Sequence, residues 1–190
     1  MAHSVCPASR AWMLDNPLRR LLIRPSSLLA PYISLGMTVL DIGCGPGFLS
    51  RPLAKLVGPN GLVIAADLQE EMLTLLKERA QKEGWIDRVR LHQTMKDSLN
   101  FNELGLIDFI VAFHMVHEVQ SPENFFNEAF SLLKSGGGLF LCEPSGHVNK
   151  EEIDREITSA LRAGFVLDKK LHNRMEYRIV FRKPLISDSF

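Results

Sequence analysis

The residues best suited to chemistry in this sequence form a glycine-rich stretch between an apolar segment and a helical one. Gly43, Gly45 and Gly47 alternate along the chain directly after an apolar run that ends at Ile42. Glycine has no Cβ, so the backbone at these positions can adopt a positive φ and approach a ligand closely. The start of a following helix presents unpaired N–H groups, which favour an anionic or polar ligand. The stretch therefore predicts a ligand-binding loop between a strand and a helix.

An acidic residue stands at the end of the next apolar segment. Residues 62–66 are apolar throughout, and Asp67 follows them. In dinucleotide-binding folds, an acid about 20 residues after the glycine turn accepts hydrogen bonds from ribose hydroxyls, and this geometry suits any adenosine ligand. The dinucleotide fingerprint itself is incomplete, because Phe48 stands where its third glycine is required. The pattern therefore predicts an adenosine site and disfavours a nicotinamide dinucleotide.

With Asp41 before the first glycine, the loop reads Asp-x-Gly-x-Gly-x-Gly. This motif resembles that of the class I methyltransferases that use S-adenosylmethionine (SAM), and the resemblance covers about residues 35–183. Within that fold the chain looks most like the compact branch that includes quinone-biosynthesis methyltransferases. The resemblance implies SAM as cofactor, S-adenosylhomocysteine as product and a small-molecule acceptor. The cofactor-binding residues that it implies are Asp41, Gly43, Cys44, Gly45, Gly47, Asp67, Leu68, Met95 and Phe113.

Met95 is a departure from the family pattern. In the family, an acidic residue shortly after the third strand meets the adenine amino group. Here Met95 stands in that place, and the nearest acid is Asp97. Leu68, directly after the ribose-binding acid, is expected to pack on the adenine.

The order of elements predicts an α/β fold. Five strand–helix units, with a fifth strand at 139–142 that follows a helix ended by glycines 136–138, favour a parallel sheet covered by helices. Strands at 165–171 and 177–181 are joined too closely for a parallel crossover and must form an antiparallel hairpin. The expectation is a Rossmann-like three-layer sandwich with a mainly parallel seven-stranded sheet that ends in this hairpin, as in class I methyltransferases.

Three segments are predicted along the chain: an N-terminal helical cover at 1–35, a SAM-binding domain at 36–183 and a tail at 184–190. Asp15 or Asn16 can cap a short helix in the cover, with Pro17 at its first position. In small methyltransferases this segment lies over the cofactor and shapes the substrate pocket. The resemblance therefore implies substrate roles for Asp15, Asn16 and Tyr32, whereas capping explains the first two without a ligand.

The fourth strand, 108–113, leads directly into a stretch with two histidines, His114 and His117. Ligands in open α/β sheets gather outside the carboxyl ends of the strands, so this stretch is expected near the reacting centre. Either histidine could act as a general base if the acceptor atom carries a proton, and the alternative is a structural role. Glu143, at the end of the fifth strand, is a candidate for binding the substrate or for capping the backbone that follows.

No metal site is predicted. The spacing His-x-x-His-Glu from His114 to Glu118 fits no established ligand pattern. The magnesium-dependent members of the resembled family carry an acid at the end of the fourth strand, where this chain has Phe113 and His114.

The composition excludes other classes of function. The chain of 190 residues carries a net charge of zero, so no long-range attraction to nucleic acid is expected. No apolar run reaches the about 18 residues of a membrane span, and the start lacks a signal peptide's apolar stretch. Three cysteines without paired spacing are typical of a reducing cytoplasm. A monomer or a homodimer is expected.

Two alternatives stay open. One is a non-catalytic module that binds SAM or adenosine, working as a partner subunit. The other is an NAD-dependent oxidoreductase, which the missing third glycine and the terminal hairpin disfavour.

Overall fold

The computed structural model describes Met13, residues 15–102 and residues 104–185. Most of the first fourteen residues and the predicted tail beyond 185 lie outside the described part of the chain. The helices and strands are, in chain order, α1 Pro17–Ile23, α2 Pro25–Leu29, β1 Thr38–Ile42, α3 Ser50–Leu56, β2 Leu62–Asp67, α4 Glu70–Lys82, β3 Val89–Gln93, β4 Ile107–Phe113, α5 Pro122–Leu132, β5 Leu133–Pro144, α6 Lys150–Arg162, β6 Val166–His172 and β7 Glu176–Arg182.

The seven strands form one sheet in the order β3-β2-β1-β4-β5-β7-β6. The pairs β1–β2, β2–β3 and β4–β5 are parallel. The pairs β5–β7 and β6–β7 are antiparallel, so the chain ends its sheet with the expected hairpin. The prediction of a mainly parallel sheet that ends in an antiparallel hairpin is confirmed.

The chain divides into two compact units, with the boundary between Thr94 and Met95. In the first unit, β1 and β2 are buried along almost their whole length, as parallel strands with both faces covered are. In the second unit, aromatic rings form the centre of the core: Phe126 lies 6.1 Å from Phe181 and 6.3 Å from Phe165, ring centre to ring centre. These edge-on contacts hold α5 against the hairpin.

The fifth strand begins six residues earlier than predicted, and the glycines at 136–138 do not end a helix. Helix α5 ends at Leu132, and Leu133 already pairs with Ile107 in β4, with a register shift before the next pair. A Cβ at Gly138 would lie 2.6 Å from Cε2 of Phe109. Glycine is required at position 138 because the strand packs directly against that ring. This close contact, and not the end of a helix, explains the glycine at this position.

The predicted helix between β3 and β4 is absent from the described residues of 94–106, so four strands rather than five are followed by helices. Asn100 and Gly105 both have positive φ, at 57° and 67°, which interrupts helical backbone. The segment is instead anchored on α5, where the carboxylate of Glu128 accepts hydrogen bonds from the Ser98 hydroxyl at 3.1 Å and the Leu99 N–H at 2.6 Å.

Candidate functional site

The glycine loop is held by backbone hydrogen bonds to the end of β2. The N–H groups of Gly43 and Cys44 donate to the carbonyl of Ala66 at 2.9 and 3.1 Å. Gly43, Gly45 and Gly47 all have positive φ, at 67°, 52° and 94°. A Cβ at Gly47 would also lie 3.2 Å from Cγ of Leu76. The glycines are therefore needed for the backbone path itself, as the sequence predicts.

Asp67, the last residue of β2, joins this loop to the start of α4. One carboxylate oxygen accepts from the Gly45 N–H at 2.9 Å, and the other accepts from the Gln69 N–H at 2.9 Å. Asp67 is only 7% exposed, and this burial raises the pKa of its carboxyl against the opposing effect of the backbone hydrogen bonds. Each oxygen of a carboxylate can accept a second hydrogen bond. The geometry thus leaves acceptor capacity for ribose hydroxyls, and the ribose contact stays a prediction.

Asp41 lies inside the protein beneath the loop. Its carboxylate accepts a hydrogen bond from the Ser50 hydroxyl at 2.5 Å, which ties β1 to the first residue of α3. Burial raises the pKa of Asp41 to about 7, and the nearby charge of Asp67 adds to the increase. The hydrogen bond to Ser50 lets Asp41 hold the two ends of the glycine loop, and its predicted contact with the cofactor stays a prediction.

Asp15 connects the N-terminal cover to the glycine loop. Its side chain is fully buried, accepts from Nε of Arg20 at 2.5 Å and also pairs with Arg79. Arg79 donates in addition to the carbonyl of Pro46 at 2.7 Å. The carboxylate of Asp15 is thus engaged by two guanidinium groups and has a structural role, and its contact with substrate stays a prediction.

The other two substrate candidates of the cover have local roles as well. Asn16 caps α1, since its side-chain oxygen accepts from the Arg19 N–H at 2.9 Å. Tyr32 is half-buried after α2, and its N–H donates to the Leu29 carbonyl at 2.9 Å. The Arg19 guanidinium lies 4.4 Å from the centre of the Phe48 ring, a cation–π contact with the residue that follows the glycines. The cover therefore contacts the loop at Phe48, and its role over the cofactor stays a prediction.

His114 directly follows β4 in a left-handed conformation, with φ of 57°. Its N–H donates to the Cys142 carbonyl at 2.7 Å, and its ring stacks on Phe113 with 4.0 Å between centres. Nε2 lies 3.4 Å from a carboxylate oxygen of Glu176, whose other oxygen pairs with Arg178 at 2.8 Å. Burial alone would raise the pKa of Glu176, but the hydrogen bonds from His114 and Arg178 lower it to about 2.

His117 is held by Glu143. The fully buried carboxylate of Glu143 accepts from the Val116 N–H at 2.7 Å and the His117 N–H at 3.3 Å, and it lies 2.5 Å from Nδ1 of His117. An ionised carboxylate only accepts, so the shared proton belongs to Nδ1 and Nε2 is left to accept one. Burial lowers the pKa of His117, but the hydrogen bond to Glu143 and its charge outweigh burial and raise it. This arrangement orients a base in the way that a carboxylate orients histidine in hydrolase triads.

His114, Cys142 and Glu176 also form a group of metal-binding types. One ligand atom from each lies within 4.8 Å of the others. Nitrogen, thiolate and carboxylate are ligands that zinc accepts. The sequence pattern could not reveal this group, because its members come from the ends of three different strands. The prediction of no metal site stays a prediction.

The predicted residues thus fall into two sets. In the first unit the structure brings together Asp41, Cys44, Asp67 and the three glycines, with Leu68 half-buried beside them. In the second unit it brings together His114, His117, Glu143 and Phe113. Met95 is 57% exposed, and its N–H donates to the Ser98 carbonyl at 2.9 Å. Sequence reasoning missed Arg79 and Glu176, because a charged residue on a helix or a strand carries no signal of a distant partner.

None of the helices in the described part of the chain combines the length and the apolarity that a membrane crossing requires.

Comparison with known proteins agrees with this geometry. A family model described as a methyltransferase domain matches residues 33–178. The ubiquinone/menaquinone biosynthesis C-methyltransferase UbiE of Citrobacter koseri is 32% identical over 108 residues, which is 57% of this chain and 43% of that protein. The chain thus matches less than half the length of this curated relative.

Two solved structures resemble the whole fold. A SAM-dependent methyltransferase from Aquifex aeolicus superposes with a TM-score of 0.84 at 26% identity, over 94% of this chain and 100% of that one. A putative SAM-dependent methyltransferase from Methanococcus maripaludis gives a TM-score of 0.79 at 18% identity and covers both chains completely.

The strand order, the terminal hairpin and the glycine loop after β1 define a Rossmann-like fold of class I SAM-dependent methyltransferases. The chain belongs to the methyltransferase domain family, whose model spans most of its length.

Proposed function

We propose that this protein transfers the methyl group of SAM to a small-molecule acceptor by in-line displacement and releases S-adenosylhomocysteine. The observation that carries the proposal is the pair formed by Asp67 and the glycine loop. A buried carboxylate at the end of β2 fixes the Gly45 N–H at 2.9 Å and keeps further acceptor capacity. The residues present therefore fit the adenosyl part of SAM.

SAM, when bound, supplies a methyl group on a sulfonium, and loss of that methyl group leaves a neutral thioether. The residues of this chain bind and orient the reactants and handle the proton. Asp67 accepts from the ribose hydroxyls, Leu68 packs on the adenine, and the glycines let the backbone approach the methionyl part. The cover contributes by holding the loop through Asp15 and Arg79. Holding the acceptor in line with the methyl group accelerates the reaction, because the two reactants no longer lose translational and rotational freedom when they react.

We assign His117 the role of general base, with Glu143 as its positioning residue. The short contact between Glu143 and Nδ1 leaves Nε2 to take a proton from an acceptor atom. Nε2 of His114 lies 3.4 Å from the Glu176 carboxylate, which is closer than the 4.0 Å between Nε2 of His117 and the Glu118 carboxylate. We therefore place His114 in a structural role at the end of β4.

The acceptor we propose is a small molecule rather than nucleic acid, since the chain has a net charge of zero. A reducing cytoplasmic location is proposed because the described cysteines, Cys44 and Cys142, are free thiols.

The test is binding of the product cofactor to wild type and to Asp67→Ala, measured by isothermal titration calorimetry. Each lost hydrogen bond to the charged carboxylate is expected to cost about 1.5–3 kcal/mol, which weakens S-adenosylhomocysteine binding about tenfold or more. Asp87→Ala, which removes an exposed carboxylate from the same unit, serves as the control and should bind as wild type does. Equal affinity in a folded Asp67→Ala protein, or stabilisation by NAD instead of S-adenosylhomocysteine, would contradict the proposal.

A further inference from the structure

The second unit contains a cavity of about 560 Å³ that the cofactor assignments do not use. Its walls are the 3₁₀ turn Val116–Glu118, the residues that lead into α5, and one face of α6. The residues that α6 contributes lie on neighbouring turns of the helix: Glu152, Arg155, Glu156, Thr158, Ser159 and Arg162. His117, the proposed base, lines the same cavity.

The charged side chains that line the cavity are three carboxylates, of Glu123, Glu152 and Glu156, and two guanidinium groups, of Arg155 and Arg162. Both arginines and Glu123 are exposed, whereas His117 and Glu152 are half-buried and Glu156 is buried. The least exposed titratable groups in the cavity wall are therefore two carboxylates and an imidazole, with no lysine or arginine among the described lining residues.

Glu156 is the unusual member of this wall. It is 4% exposed, and its Oε2 atom is buried without a hydrogen-bond partner among the described residues. Burial, together with the charges of Glu143 and Glu152, raises the pKa of Glu156 to about 9 against the opposing effect of Arg155. A buried carboxyl without a partner is costly, and a cation that enters the cavity would remove that cost.

We propose that this cavity receives the methyl acceptor as a small organic amine, whose ammonium group pairs with Glu156. This assignment rests on the proposed methyl transfer, because it places the acceptor in the cavity that His117 lines. The ammonium form gives one proton to Nε2 of His117, which frees the lone pair on nitrogen. That lone pair forms the new C–N bond with the methyl carbon, and the electron pair of the breaking C–S bond stays on sulfur. The products are a methylated ammonium, S-adenosylhomocysteine and one proton released to solvent.

The experiment compares three probes of the same shape and different charge: cyclohexylamine, cyclohexanol and cyclohexanecarboxylate. Each is titrated into the full chain with S-adenosylhomocysteine present, by calorimetry or ligand-observed NMR, between pH 6 and pH 9. We expect the amine to bind at least tenfold more tightly than the alcohol. Its affinity should rise with pH as Glu156 loses its proton more readily, by up to about tenfold per pH unit below the pKa of that carboxyl.

Glu156→Gln keeps the shape of the side chain and removes its charge. The variant should lose at least tenfold in amine affinity, and its affinity should rise less with pH than that of wild type, because the charge of Glu156 is gone. Glu151→Gln, on the exposed side of the same helix, is the matched control and should bind the amine as wild type does. If Glu156→Gln fails to fold, Ser159→Phe offers an independent test, because a phenyl ring at this half-buried wall position, three residues from Glu156 on the same helix, narrows the cavity and should weaken binding of the amine.

Equal binding of amine and alcohol, or unchanged affinity in Glu156→Gln, would overturn the proposal. Preferential binding of the carboxylate through Arg155 and Arg162 would also overturn it, since the cavity would then be an anion site. Measuring the affinity for S-adenosylhomocysteine distinguishes a failure of the amine proposal from a failure of the proposed methyl transfer. A protein that binds the cofactor but no amine remains a methyltransferase with another acceptor, whereas one that binds the amine but no cofactor loses the methyl-transfer assignment.

Discussion

Asp67 and Glu143 are buried carboxylates at or near the carboxyl ends of parallel strands, one in each unit, yet they are bound differently. Asp67 accepts hydrogen bonds from two backbone N–H groups, of Gly45 and Gln69. Glu143 accepts from two backbone N–H groups as well, but it also holds the imidazole of His117 at 2.5 Å. Asp67 is 7% exposed, whereas Glu143 is completely buried.

The different hydrogen-bond partners of Asp67 and Glu143 suit the two carboxylates to different roles. A carboxylate bound by backbone alone fixes the path of a loop and keeps lone pairs for the hydroxyls of a ligand. A carboxylate bound to imidazole fixes the tautomer of that ring and the pH at which it takes a proton. We therefore propose that binding of the methyl donor depends on backbone geometry in one unit and that handling of the proton depends on a side-chain pair in the other.

The largest effect is expected on stability when Glu143 is removed. Glu143→Ala leaves two buried N–H groups and the His117 ring without their acceptor, and breaking such a buried pair typically costs about 3–5 kcal/mol. Urea unfolding followed by circular dichroism measures this loss. Glu151→Ala, an exposed change on α6, should stay within about 0.5 kcal/mol of wild type. A loss below about 1 kcal/mol for Glu143→Ala would show that the carboxylate is not the anchor described.

A smaller effect is expected from a methyl group in the glycine loop. Gly47→Ala forces a non-glycine residue into φ of 94° and brings its Cβ to 3.2 Å from Leu76. The left-handed backbone alone costs roughly 1–2 kcal/mol. Gly84→Ala is the matched control, since Gly84 has φ of 72° but open space around the position of a Cβ.

Both variants should lose stability in thermal unfolding, Gly47→Ala more than Gly84→Ala. Only Gly47→Ala should also weaken binding of S-adenosylhomocysteine. Equal stability and equal affinity for S-adenosylhomocysteine in the two variants would mean that the loop tolerates a side chain at position 47. Gly47 would then be needed only for the backbone turn and not for binding.

The smallest effect is a change in the pKa of His117. The Glu143 contact raises this pKa above the ordinary value of 6.5, so the protonated ring contributes stability that is complete below that pH and is lost as pH rises through the raised pKa. Glu143→Gln removes the charge and should lower the pKa, which an NMR titration of the ring protons measures. Asp67→Asn should leave the His117 titration unchanged, and a shift in that variant would contradict the separation of the two roles.

The parts of the fold and site that the sequence predicted correctly depend on local signals. Strand β1 ends at Ile42, where the apolar run of the sequence ends, and the three glycines have the positive φ that their spacing indicated. The capping box of α6, formed by Asn149 and Glu152, is a signal of the same local kind. Each of these features lies within a few residues of chain, so residue type and spacing are enough to specify it.

The parts that could not be predicted join residues distant in sequence. Glu143 was a candidate for contacting substrate, and its hydrogen bond to His117 depends on the packing of β5 beside β4. The early start of β5 depends on contacts of Leu133 and Gly138 with β4. Asp15 looked like a helix cap or a substrate contact, and its pairing with Arg79 follows from the docking of the cover on α4.

The most direct test of the central claim is a double-mutant cycle between Asp67 and the ribose. Wild type and Asp67→Ala are each titrated with S-adenosylhomocysteine and with an analogue that lacks both ribose hydroxyls. We expect the analogue to bind wild type about tenfold or more weakly than S-adenosylhomocysteine does, and to bind the variant almost as well as S-adenosylhomocysteine does, which is a coupling of about 1.4 kcal/mol or more. An equal loss of affinity in both proteins would show that the carboxylate does not hold the ribose.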